Sequence, residues 1–282
     1  MRMLRESARR VAVAARLLLK DLLRRRVTLL LLFIVPALFD AVVIATTGHR
    51  QIEVTIATLV EDGATIHVAG DADDPMDTAL LDNGSRMLDQ RGLSLVFLGT
   101  AAVCFLTCFL AFHLVHKRKD VDARLVLAGF RTHELLVAKL VALLLMVVLL
   151  SAYETAILRP YLEPQHVLRL ASGFLLGGVV YGCLGFLTGA VAVHELEGIF
   201  AIVLLTNIDV GWLQNPIYYA TSEHRALIES LPGHYPTQLA ITGAFTDDVA
   251  HGIVSRSVAY AGAALLAALL AFGLRLRPAR RL

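Results

Sequence analysis

The sequence predicts an all-α polytopic membrane protein with six transmembrane helices, and three observations lead there. First, 57% of its 282 residues are hydrophobic and only 18% are charged, with a mean hydropathy of +0.67. A soluble domain holds about 45–50% apolar and about 25% charged residues. Second, the apolar residues gather in six runs, each near the roughly 20 residues a helix needs to cross a bilayer core of about 30 Å. Third, the 26 Lys and Arg residues collect at the ends of those runs, although the net charge is only +2. This composition excludes a disordered chain, a disulfide scaffold and an ordinary soluble enzyme. The small net charge gives no reason to expect nucleic acid as a partner.

The six runs are residues 27–47, 93–115, 140–158, 170–193, 198–213 and 257–274. The second, fourth and sixth contain no Asp, Glu, Lys or Arg, while the first carries Asp40, the third Glu154 and the fifth Asp209. Orientation follows from the cations that flank them. Nine precede the first run, six lie in 116–139 and four follow the last, against three in 48–92, two in 159–169 and two in 214–256. The split is 19 to 7 with both termini cytoplasmic, and a five-span count would put the Arg-rich C-terminal tail outside. The excess of Arg over Lys and the abundant Ala fit a GC-rich bacterial genome. The expected place is therefore a bacterial plasma (inner) membrane.

Residues 1–26 are read as an amphipathic helix rather than a signal peptide, because the apolar run that follows is too long for a signal h-region. Leu4, Val11, Ala15, Leu18, Leu19 and Leu22 recur at helical spacing, with Arg5, Arg9, Arg16 and Lys20 mainly between them. Such a helix suits the cytoplasmic interface, its arginines against anionic lipid. Pro36 is expected to kink the first span.

The segment 48–92 is a small α/β insert outside the membrane. Residues 53–60 alternate in the strand manner, Glu61-Asp62-Gly63 signals a turn, and 64–68 returns as a second strand. Asp71, Asp73, Asp74 and Asp77 follow, and then a short helix up to Gln90. Nine acids against three arginines make this an acidic cap too small for its own core. It lacks the glycine and glutamate spacing of a calcium loop, so a solvated acidic turn is the better reading.

Within the fourth span Gly173, Gly177, Gly178, Gly182, Gly185 and Gly189 form pairs four residues apart, the spacing that lets another helix approach closely. Cys104, Cys108 and Cys183 lie inside spans and are read as small packing residues. No catalytic set is present. The chain has no G-x-x-x-x-G-K-[ST] phosphate loop, no H-E-x-x-H zinc motif and no G-x-S-x-G elbow, so no catalytic, cofactor or metal residues are assigned.

The segment 116–139 is more specific. A charged turn, Lys117-Arg118-Lys119-Asp120, leads into a short amphipathic stretch carrying Val121, Arg124, Leu125 and Ala128. Gly129 breaks it, Arg131 follows, and 134–139 re-enters the bilayer. A helix held between two spans is something a cytoplasmic partner can push against.

In that order, the pieces resemble the membrane subunit of type-2 ABC exporters, the ABC-2 type transporter permeases, over essentially the whole chain. Residues 18–26, the apolar run and Pro36 resemble the family's entry. Residues 125–139, with Gly129, Glu134-Leu135-Leu136 and Lys139, resemble its coupling helix. Leu231-Pro232-Gly233-His234-Tyr235-Pro236 resembles the re-entrant hairpin before the last helix. The family often has Gly-Thr where this chain has Asp122-Ala123, and the 48–92 insert is longer than in compact members.

The resemblance implies a six-helix half that pairs with a second permease as homodimer or heterodimer. It also implies separately encoded ATPase subunits that carry ATP and Mg. Coupling would run through Val121, Arg124, Leu125, Ala128, Gly129 and Arg131, driving export of a drug, lipid, peptide or similar amphipathic compound by alternating access.

Asp40, Glu154 and Asp209 are candidate residues of the substrate route, because a charge inside a bilayer is costly and usually faces a cavity or a partner. For Glu154 and Asp209 the alternative is contact with outside water or with Arg159. A reading from another class is a non-transporting membrane anchor or sensor whose acidic cap binds a ligand.

Overall fold

Long apolar runs form helices because hydrocarbon leaves the backbone no hydrogen-bonding partner but itself. The computed structural model describes residues 2–24, 26–59, 63–68, 81–117, 125, 130, 132–220, 222–246 and 252–276. It is mostly helical, with one small antiparallel sheet. The helices are α1 (Arg2–Arg24), α2 (Arg26–Thr46), α3 (Gln90–His116), α4 (Thr132–Leu158), α5 (Val167–Val191), α6 (Glu195–Ile208), α7 (Pro216–Ala220), α8 (Arg225–Glu229), α9 (His234–Phe245) and α10 (Ile253–Leu276). Five stretches are long and apolar enough to cross a membrane: Gln90–His116, Glu134–Leu158, Val167–Val191, Glu195–Leu213 and Ile253–Ala271. The chain therefore has the build of a multi-pass membrane protein. The apolar stretch Leu30–Thr46 within α2 is shorter than these five.

Helix α5 is the hub, packed against α3, α4, α9 and α10. Its glycines sit where neighbours come too close for a side chain. A Cβ on Gly185 would lie 2.1 Å from the Cys108 carbonyl oxygen of α3, and one on Gly173 would lie 2.5 Å from the Ala240 nitrogen of α9. Gly177 faces Cys104, Gly178 faces Val147, Gly182 faces Leu143 and Gly189 faces Val115. The six positions thus serve three neighbouring helices rather than one groove. Buried threonines satisfy themselves on their own helices: the hydroxyls of Thr100, Thr107 and Thr206 donate to Val96 O (2.8 Å), Val103 O (2.8 Å) and Ile202 O (2.7 Å).

Helix α1 lies against the first turns of α4. Ala14 and Leu18 meet Ala138 and Ala142, with Val11, Ala15 and Phe130 around them. Arg10 approaches Glu134 at 4.0 Å over the same contact. At this end of the bundle Lys117, just past α3, pairs with Glu195 at the start of α6 (2.9 Å).

The other end carries the sheet of β1 (Gln51–Leu59), β2 (Gly63–Val68) and β3 (Leu81–Asp89), in the order β2-β1-β3. Val54 pairs with Val68 on one side, and Gln51 pairs with Asp89 on the other. Residues 81–89 are a strand where the sequence suggests a short helix. Asn83-Gly84 is poor helix material, and pairing against β1 satisfies the backbone instead. Asp71, Asp73, Asp74, Asp77 and the turn at Glu61-Asp62 lie outside the described residues. Strand β2 rests on α7 and α9, and α9 is buried along its length between α5, α3 and α10. The rings of Trp212 and Tyr218 meet at a tilt, their centroids 5.4 Å apart, and are exposed, as aromatic residues at a membrane–water boundary are.

Candidate functional site

The three acids of the apolar helices have different surroundings. Helix α6 ends in a π-turn, Asp209–Leu213, whose extra residue swings Asp209 and Gln214 toward the start of α9. The Asp209 carboxylate accepts the Tyr181 hydroxyl of α5, the Gln214 Nε2 amide (2.9 Å) and the Gly233 N–H (2.9 Å). Gly233 is a close-approach position: a Cβ there would lie 2.9 Å from Asp209 Oδ1. Gln214 Nε2 also donates to Ile228 O (3.2 Å), and its Oε1 accepts from His234 Nδ1 (3.0 Å). Asp209 is only 2% exposed, so it meets neither outside water nor Arg159, and its acceptors are filled by the protein. It is a latch between α5, α6 and the start of α9.

The latch fixes the charge state of His234. Burial, aided by the Arg256 charge, brings the imidazole down from 6.5 to about 4. Burial, with a hydrogen bond to Glu229, likewise holds the Tyr219 hydroxyl protonated well above its ordinary range. Above pH 6.5 His234 is neutral folded or unfolded and adds no pH dependence. Between 6.5 and about 4 only the unfolded chain takes up the proton, so stability falls as the pH falls and levels off below. The full loss is on the order of 3 kcal/mol. In detergent, the unfolding midpoint of the wild type should therefore drop more steeply across that window than that of His234→Asn. Parallel curves would show that His234 is not the group responsible.

Asp40 and Glu154 contrast with Asp209. Asp40 lies on α2 and is 1% exposed; Glu154 lies on α4 and is 0% exposed. No described residue gives a hydrogen bond to any of their four carboxylate oxygens. The helices that carry them, α2 and α4, pack against each other. Glu154 Oε1 rests on α3 at Gly99, where a Cβ would lie 2.4 Å away. Beside them the Tyr153 hydroxyl donates to Phe33 O (2.8 Å), and the rings of Phe33 and Tyr153 meet edge-on at 4.8 Å, which ties α2 to α4. Neither acid presents a surface that a drug-sized substrate could touch in this conformation.

In the segment between α3 and α4, where coupling to an ATPase is expected, Val121, Arg124, Ala128, Gly129 and Arg131 lie outside the described residues. Leu125 is helical and half-buried, and its carbonyl accepts the Phe130 N–H at 3.0 Å, the six-to-one bond that closes a helix end. Cys104, Cys108 and Cys183 are buried free thiols. Among the described residues no group of three or more His, Cys, Asp or Glu could hold a metal ion.

The sequence singles out Asp40 and Glu154 separately, 114 residues apart, and does not join them. Depth was the available signal. Asp40 stands six residues before the end of α2 and Glu154 four before the end of α4, and both helices run toward the sheet end. Tyr181 and Gln214 carry no signal of their own in the sequence, and Gly233 stands out there only within the motif at 231–236. The chain matches no family model and no curated protein.

Proposed function

We infer that this chain is the permease subunit of an ATP-driven exporter of the type-2 ABC class, working with separately encoded ATPases. The observation that carries the reading is the seating of amphipathic α1 on the first turns of α4. Phe130 packs into the contact of Ala14 and Leu18 with Ala138 and Ala142. A push on residues 116–131 is thereby passed to α1 and α4 together. The hairpin of α7, α8 and α9, its α9 arm buried along its length and latched through Asp209, supports the same reading, as does the absence of a phosphate-binding loop. The proposal includes α2 as a sixth span, both termini in the cytoplasm, a bacterial plasma membrane and pairing with a second permease.

Isolation of the tagged, intact chain from its native membrane should bring down an ATPase with vanadate-sensitive ATP hydrolysis. Isolation of the chain with no ATPase would favour the anchor or sensor reading. The six-span arrangement has its own check. In a background without native cysteines, a membrane-impermeant thiol reagent should label a cysteine placed at Asp73 or Glu223 from outside. Labelling at Lys119 under the same conditions would overturn it.

A further inference from the structure

We propose that Asp40 and Glu154 bind one small monovalent cation, a proton or an alkali-metal ion, between α2, α3 and α4. The proposal does not rest on the exporter reading.

Two carboxylates in a dry interior repel each other and have lost water, so each needs hydrogen-bond donors or a positive charge. Asp209 shows how this chain satisfies such a group with donors, drawing one each from α5, Gln214 and the hairpin. Asp40 and Glu154 have none among the described residues, although both are at least 99% buried. The hydroxyl of Ser151, one turn before Glu154 on α4, is also buried without a partner among the described residues.

Among the described residues, the surrounding groups do not neutralise the pair. On α3 the facing turn offers Leu95, Val96, Gly99 and Thr100, and the Thr100 hydroxyl is committed to Val96 O. On α4 the titratable neighbour is Tyr153, whose proton goes to Phe33 O. On the α5 side, the contact with α4 runs through Gly178 and Val147, which carry no charge. Arg91 closes the end of α2, but its guanidinium serves Ile44 O and His49 (2.8 Å), and His49 in turn meets Asp89 (3.1 Å). The cations of α1 lie toward the opposite end of α2.

The missing charge must therefore be bound. Near-complete burial limits its size and excludes an organic cation. The glycine at position 99 keeps α3 close enough for its backbone to wall the Glu154 carboxylate, so Gly99 shapes the site as well as the packing.

The test uses the full chain in lipid nanodiscs, comparing the wild type with Asp40→Asn, Glu154→Gln and the double variant. Thermal midpoints are recorded against pH in choline chloride, and against sodium or potassium replacing choline at fixed pH. Amides are nearly isosteric with the acids and remove the need for a cation, so the variants should fold at least as well as the wild type. The wild type should respond to pH above 6.5, where His234 adds no dependence, which identifies the proton, or to sodium or potassium over choline, which identifies the alkali ion. The double variant should lose that response, while Asp209→Asn, though less stable, should keep it. Infrared difference spectra give a readout independent of folding: the proton case predicts a protonated-carboxyl band absent from the double variant. A wild type insensitive to both titrations, or a double variant with the full wild-type response, would overturn the proposal.

Discussion

A Gly185→Leu chain is expected to yield no monodisperse particle in detergent, and Gly185→Ala is expected to lower the unfolding midpoint sharply. The atom in the way is a backbone oxygen, Cys108 O at 2.1 Å from the added Cβ, with the Cys108 carbon at 2.8 Å. A flexible side chain could rotate aside, but a helix backbone can only retreat. Retreat of α3 would loosen its contacts with α5 along its whole length. Overpacking of this kind costs about 1–3 kcal/mol, and more where nothing can relax. Gly262 on α10 is the control, because a Cβ there meets nothing within 4 Å. Gly262→Ala should leave the midpoint unchanged or raise it, since Ala favours a helix over Gly by roughly 1 kcal/mol. Equal effects at the two positions would mean that α3 and α5 do not meet as closely as the structure has them.

Asp209→Ala should be the most damaging substitution of a polar residue. It removes the acceptor of the Tyr181 hydroxyl and the Gly233 N–H, and leaves Gln214 Nε2 with Ile228 O alone. An orphaned buried donor costs about 1–3 kcal/mol, and hydrogen bonds between membrane helices are worth somewhat less, so a total of roughly 2–5 kcal/mol is expected. Asp209→Asn keeps one acceptor oxygen and should lose less. The loss should appear as early unfolding, and as proteolysis within the hairpin before the rest of the bundle opens. A variant as stable and as protease-resistant as the wild type would show that the hairpin does not depend on Asp209.

The spans were legible in the sequence because length and hydropathy decide them one at a time. The helices found at 90–116, 132–158 and 253–276 contain the runs at 93–115, 140–158 and 257–274, and the helix at 167–191 covers the run at 170–193 except its last two residues. What pairs with what was not legible. Asp209 looks like a residue near a helix end, and only the π-turn and the return of the chain at Gly233 bring its donors to it. Asp40 and Glu154 look like two separate costs until α2 and α4 are laid side by side. Residues 81–89 were misread because strand pairing with β1, a contact across about 30 residues, outweighs local preference.

The most direct measurement is ATP hydrolysis by the chain reconstituted with the ATPase that the proposed function requires, wild type against Leu125→Asp. Leu125 is half-buried on the coupling segment, and an ATPase groove that covers it would desolvate the new carboxylate at a cost of several kcal/mol. The account predicts that Leu125→Asp still inserts and pairs, but loses ATPase association or substrate-stimulated hydrolysis. A wild-type chain that binds no ATPase, or a Leu125→Asp chain with unchanged coupled hydrolysis, would contradict it.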